Sequence, residues 1–117
     1  MSQWSPTVDV QFSPEFQNNL KALRKRYRHI RSDIQPVIDQ LEIGETPGDK
    51  ISGTNYTVFK VRVKNSDIQK GKSGGYRIIY TLKTALEILL VTVYSKSDQG
   101  DIDTLIINQI IREFEAG

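Results

Sequence analysis

The stretch YRIIYTLKTALEILLVTVY, residues 76–94, decides the fold. Tyr76 to Leu82 and Leu86 to Tyr94 are rich in β-branched and aromatic side chains, with Lys83-Thr84-Ala85 between them. Two such runs joined by a short connection read as a β-hairpin. Just upstream, Tyr56 to Lys64 alternates, with Thr57, Phe59, Val61 and Val63 set against Val58, Lys60, Arg62 and Lys64. That is a half-buried strand with one basic face. The hairpin lacks such alternation and is expected to be buried more on both faces. Consecutive strands of this kind point to an antiparallel meander.

Working outward, Val8, Val10 and Phe12 alternate with Asp9 and Gln11, which predicts a short strand. Ser13-Pro14 reads as an N-cap followed by Pro at the first helical position. Phe16, Leu20, Leu23 and Tyr27 then form one helix face, running to about Tyr27. A second helix is expected from around Ser32, with Ile34, Val37, Ile38 and Leu41 as its stripe, Pro36 in its first turn and Gly44 as its C-cap. Residues 44–55, with Gly44, Pro47, Gly48 and Gly53, read as a loop, as do residues 65–75. Asp101 is the expected N-cap of a last helix whose stripe is Ile102, Leu105, Ile106, Ile110 and Phe114. The order β-α-α-β-β-β-α gives an α+β fold: a mostly antiparallel four-stranded sheet with helices packed on one face, forming a single domain over residues 1–117.

Composition removes several kinds of chemistry. The 117 residues include no Cys and one His. Disulfides, Cys-based zinc sites, Cys-His nucleophiles and two-histidine nucleases are therefore excluded. Ser-His-Asp chemistry would need His29 as its base. With His29 the only imidazole, a classical metal cluster is nearly excluded, and no cofactor is expected. Met1 to Pro6 lacks a basic and apolar leader pattern, and apolar runs such as Ile88 to Val91 are too short to span a bilayer. A cytoplasmic protein is the expectation.

The net charge of +2 conceals a segregation. Lys21, Arg24, Lys25, Arg26, Arg28 and Arg31 cluster in and after the first helix. Lys60, Arg62, Lys64, Lys70, Lys72 and Arg77 surround the long loop, so the two groups hold 12 of the 16 basic residues. From Asp98 onward acids dominate: Asp98, Asp101, Asp103, Glu113 and Glu115 against Arg112. Lys60, Arg62 and Lys64 project from one strand face, where like charges repel unless an anion or acidic partner arrives. They are candidates for phosphate contact, with Arg24, Lys25 and Arg28 as a second basic stripe. Gly71-Lys72-Ser73 imitates the end of a P-loop, but Ser66 stands where that loop needs Gly, and a strand follows. The Gly-rich loop can still offer backbone N–H groups to phosphates. Hairpin pairing would bring Arg77, Tyr94 and Lys96 to the end of the sheet that carries Lys60 and Arg62. His29 has no visible orienting partner and is a weak candidate for a base.

Phe59-Lys60-Val61-Arg62, Gly71-Lys72-Ser73-Gly74-Gly75-Tyr76-Arg77-Ile78-Ile79-Tyr80 and Tyr94-Ser95-Lys96-Ser97-Asp98 together resemble the RelE/ParE toxin superfamily, and most of all its HigB-like branch. The resemblance covers nearly the whole chain. It implies a toxin of a type II toxin–antitoxin pair, held inactive by a cognate antitoxin. RelE-type members cut mRNA on the ribosome without a metal; ParE-type members poison DNA gyrase; a third class would be an inactive, antitoxin-binding member. Carried over by residue, the family's active positions fall on Lys60, Arg62, Arg77 and Lys96. RelE places a functional Tyr after its last strand; residues 95–117 contain none, and Tyr94 is the candidate in its place. Self-cleavage of RNA by its 2′-OH needs a base, stabilisation of the phosphorane and an acid. Lys60 among other cations is the candidate base. Arg62 and Arg77 suit bidentate phosphate contact. Arg24, Lys25, Arg28, Lys64, Lys70 and Lys72 are expected to bind RNA.

Overall fold

The computed structural model describes residues 7–68 and 74–117. The elements follow in the order β1 (Asp9–Phe12), α1 (Pro14–Arg24), α2 (Ile30–Glu42), β2 (Asp49–Ile51), β3 (Val58–Val63), β4 (Tyr76–Thr84), β5 (Glu87–Ser95) and α3 (Thr104–Ala116). They build one sheet of order β1-β5-β4-β3-β2. β3 to β5 form the expected antiparallel meander, β2 adds to β3 antiparallel, and β1 joins β5 in parallel.

The sheet has five strands rather than four. The extra one, β2, lies in the segment read as a loop. Asp49-Lys50-Ile51 has little strand character of its own and pairs through its backbone with Lys60, Phe59 and Val58. Gly48 permits that approach: its φ is +95°, and a Cβ there would lie 2.3 Å from the Lys60 carbonyl oxygen.

The helices cover both faces, not one. α1 and α2 bury Phe16, Leu20, Ile34 and Leu41 against Val61, Val63, Ile78 and Tyr80. α3 packs on the opposite face, where Ile107 and Ile111 meet Val58, Ile79, Leu89 and Val91. The cause is the hairpin itself. Successive residues of a strand point to opposite faces, and both sets are apolar here. Leaving Ile79, Leu89 and Val91 in water would forfeit about 1.5–3 kcal/mol each.

Local signals fix the helix ends. Ser13 caps α1 as expected: its Oγ accepts the Phe16 N–H at 2.9 Å and donates to the Val91 carbonyl at 2.6 Å. α1 ends at Arg24, short of Tyr27, whose ring instead meets Tyr76 edge-on at 5.9 Å. α2 begins at Ile30, so Pro36 lies in its interior rather than its first turn. The missing N–H removes one helical hydrogen bond. Burial of Ile30, Ile34, Val37 and Leu41 holds the helix on either side of that gap. Gly44 follows the C-cap with φ +91°, the conformation that favours glycine after a helix.

α3 departs most from expectation. Its N-cap is Asp103, which accepts the Leu105 N–H at 2.8 Å, while Asp101 lies outside the helix. The inward face is Ile107 and Ile111, with Ile102, Ile110 and Phe114 packed beside them. Leu105 and Ile106, placed in the stripe by sequence, are 72% and 48% exposed. This orientation is testable by urea unfolding. Ile107→Ala should cost about 2–5 kcal/mol. Leu105→Ala should stay within about 0.5 kcal/mol. Equal losses would contradict the face assigned to α3.

Candidate functional site

Strand register assembles the site. Arg62 stands opposite Arg77 across β3 and β4, and Arg77 stands opposite Tyr94 across β4 and β5. Opposed residues share a face, and so do residues two apart, so Lys60 joins them. This is the face that carries α3. Lys96 follows directly after β5, where its backbone N–H donates to the Gly75 carbonyl at 2.9 Å. The sequence expectation that Lys60, Arg62, Arg77, Tyr94 and Lys96 meet at one end of the sheet agrees with this register.

Two arginines placed opposite one another repel. Arg77 is 4% exposed and donates from Nη1 to the Tyr76 carbonyl at 3.1 Å, whereas Arg62 is exposed. A carboxylate offsets the accumulated charge. Asp101 Oδ1 accepts from Lys60 Nζ at 3.2 Å and lies 4.0 Å from Lys96 Nζ. The Lys60 hydrogen bond, then the charges of Lys60, Lys96 and Arg77, hold the Asp101 carboxyl below the usual carboxylate range.

Burial pushes the Tyr94 phenol up, and the Asp101 charge adds to this against the opposing pull of the Ile102 N–H and Arg77. Among the described residues no hydrogen bond of standard geometry closes on its hydroxyl. At neutral pH Tyr94 is therefore a phenol, able to give a proton but not to take one.

The other candidates lie elsewhere. Lys64 is exposed just past β3. Lys70 and Lys72, with the Gly71-Lys72-Ser73 stretch, fall outside the described residues. Arg24, Lys25 and Arg28 are exposed on and after α1, on the opposite side of the sheet from the Lys60 row. The two basic groups thus form two surfaces. The acidic segment after β5 reaches both: Asp98 Oδ2 accepts from Arg26 Nη1 at 2.7 Å, and Asp101 accepts from Lys60. In the sequence these acids stand apart from both basic groups, dominating the chain from Asp98 onward. Their position directly after the basic strand end was the signal that they could fold back onto it.

His29 does have an orienting partner. Its Nδ1 lies 2.7 Å from Asp67 Oδ1, and its backbone N–H donates to Asp67 Oδ2 at 3.0 Å. The ring contact, then that N–H, hold the Asp67 carboxyl below the usual range. Asp33 Oδ2 accepts from the Ser66 N–H at 2.9 Å and from its hydroxyl at 3.1 Å. Together these contacts fasten the chain leaving β3 to the start of α2. They bridge residues 33 to 38 positions apart, a separation at which sequence pattern has no reach. Among the described residues no three carboxylate or imidazole groups gather to hold a metal ion, and no helix is long and apolar enough to cross a membrane.

A family model described as the ParE toxin of a type II toxin–antitoxin system, parDE, matches residues 10–100. The chain belongs to this toxin family. No curated protein matches it. Membership implies a cognate antitoxin as the toxin's partner. The matched stretch contains the whole basic row of the toxin and stops one residue before Asp101.

Acid should weaken the toxin in a defined window. Asp67 and Asp101 have folded-state pKa values below their unfolded ones, so their contribution is complete above the ordinary carboxylate value. It is lost as the pH falls below about 4. Urea midpoints measured from about pH 6 to about pH 3 should fall less steeply for Asp67→Asn than for the parent. Parallel curves would contradict the pairing with His29.

Proposed function

We propose that this toxin is a HigB-like, metal-independent endoribonuclease that cuts mRNA on the ribosome and so stops translation, until its antitoxin covers the basic row. The carrying observation is the convergence of Lys60 and Lys96 on one carboxylate oxygen, with Arg77 contributing its charge there. A position surrounded by cations from three neighbouring segments suits a phosphate of the message. The 2′-oxygen attacks phosphorus, the P–O5′ bond breaks, and a 2′,3′-cyclic phosphate remains. Lys60, as the neutral amine, takes the 2′-hydroxyl proton, Arg62, Arg77 and Lys96 offset the phosphorane charge, and Tyr94 gives a proton to the leaving 5′-oxygen. Arg24, Lys25 and Arg28 contact RNA on the other side, and Lys64, Lys70 and Lys72 are further RNA contacts. Two cationic surfaces on opposite sides of a thin domain suit a site walled by RNA on both sides, as a ribosomal cleft is.

A second reading is a gyrase inhibitor without nuclease activity. It is favoured by the family description, which is that of ParE. Brief induction in cells followed by mapping of mRNA 5′ ends separates the two. The proposal expects new ends in phase with codons and a halt in protein synthesis; Arg62→Ala should cut end formation about 100-fold or more. Arg62 is the cleaner test residue, because Arg77 is buried and its removal perturbs the sheet. Blocked supercoiling with intact mRNA would favour the gyrase reading.

A further inference from the structure

We propose that the Asp101 carboxylate stands in for a phosphate of the target, and that it must leave Lys60 for that phosphate to bind. The inference rests on the reading of the Lys60 row as a phosphate site. One carboxylate oxygen takes the hydrogen bond from Lys60 Nζ at 3.2 Å and lies 4.0 Å from Lys96 Nζ, so two ammonium groups from different segments define a single anion position. Arg77 contributes its charge to the same carboxylate. An oxygen of a phosphodiester fits this arrangement as a carboxylate oxygen does, and brings a second oxygen for Arg62.

Among the described residues, Asp101 has no other hydrogen bond or ion pair beyond Lys60 and Lys96 to hold it there. Asp103 caps α3. The Asp101 side chain is 70% exposed, in the irregular stretch between β5 and α3. Among the described residues, none but its chain neighbours comes within 4 Å of where a side chain would start on the preceding Gly100, which leaves room for the stretch to shift. Asp98 remains fastened to Arg26 at the other end, so the withdrawal is local. An ion pair this open to solvent is weak and screened by salt. A polyanion that places several phosphates at once can displace it. Asp101 therefore lowers affinity for stray anions while letting an extended phosphate backbone through.

Fluorescence anisotropy with a short labelled single-stranded RNA at low salt tests this on the whole toxin. Asp101→Asn should bind about two- to fivefold more tightly than the parent, Asp101→Glu should match the parent, and Lys60→Gln should bind more weakly. Far-UV circular dichroism checks that each variant keeps its fold. If Lys60→Gln weakens binding while Asp101→Asn does not tighten it, the role given to Asp101 is wrong and the phosphate site stands. If Lys60→Gln and Arg62→Gln both leave binding unchanged, or the parent binds no RNA, the phosphate site itself is wrong and the proposal falls with it.

Discussion

β4 and β5 carry apolar side chains on both faces, so the centre of this sheet has to be covered twice. Ile78, Tyr80, Ile88 and Leu90 take α1 and α2 as their cover, and Ile79, Leu89 and Val91 take α3. Everything else in the molecule adjusts to that requirement. The chain must pass from one side of the sheet to the other between β5 and α3, and it does so around the end where β3 finishes and β4 begins. That is also the end that carries Arg62, Arg77 and Lys96. The acids of the crossing segment, Asp98 and Asp101, pair with Arg26 on one side and Lys60 on the other.

The same requirement separates the basic residues. A domain with all helices on one face would have left the Lys60 row on an open surface, next to nothing but solvent. Placing α3 on that face partly encloses the row, buries Tyr94 and brings a carboxylate within reach of Lys60 and Lys96. The basic stripe of α1 stays on the far side. A nearly neutral chain therefore presents two cationic surfaces with an acidic crossing between them.

Much of this was legible in the sequence. The strand block gave the meander, and its register followed from alternation: Lys60 and Arg62 on one face, Val61 and Val63 on the other. Ser13 declared the start of α1 through its capping chemistry. What escaped had physical reasons. β2 is held by backbone pairing, to which Asp49-Lys50-Ile51 contributes no side-chain pattern. The unalternating hairpin did imply two covered faces, but helix periodicity cannot say which helix covers which. α3 was mis-phased because both Asp101 and Asp103 are good caps; Asp103 takes the Leu105 N–H, while Asp101 pairs with Lys60. The pairing of His29 with Asp67 depends on tertiary closure alone.

The central claim is that anions bind where β3 and β5 finish and β4 begins, on the α3 side, and that α1 is a separate surface. Amide and side-chain chemical-shift mapping of the toxin during titration with a short single-stranded RNA tests it directly. The account predicts that Lys60, Arg77, Lys96 and Asp101 respond first and together, with Arg24 and Lys25 unmoved at the same concentration. A response centred on α1, or spread evenly over all the basic residues, would contradict it.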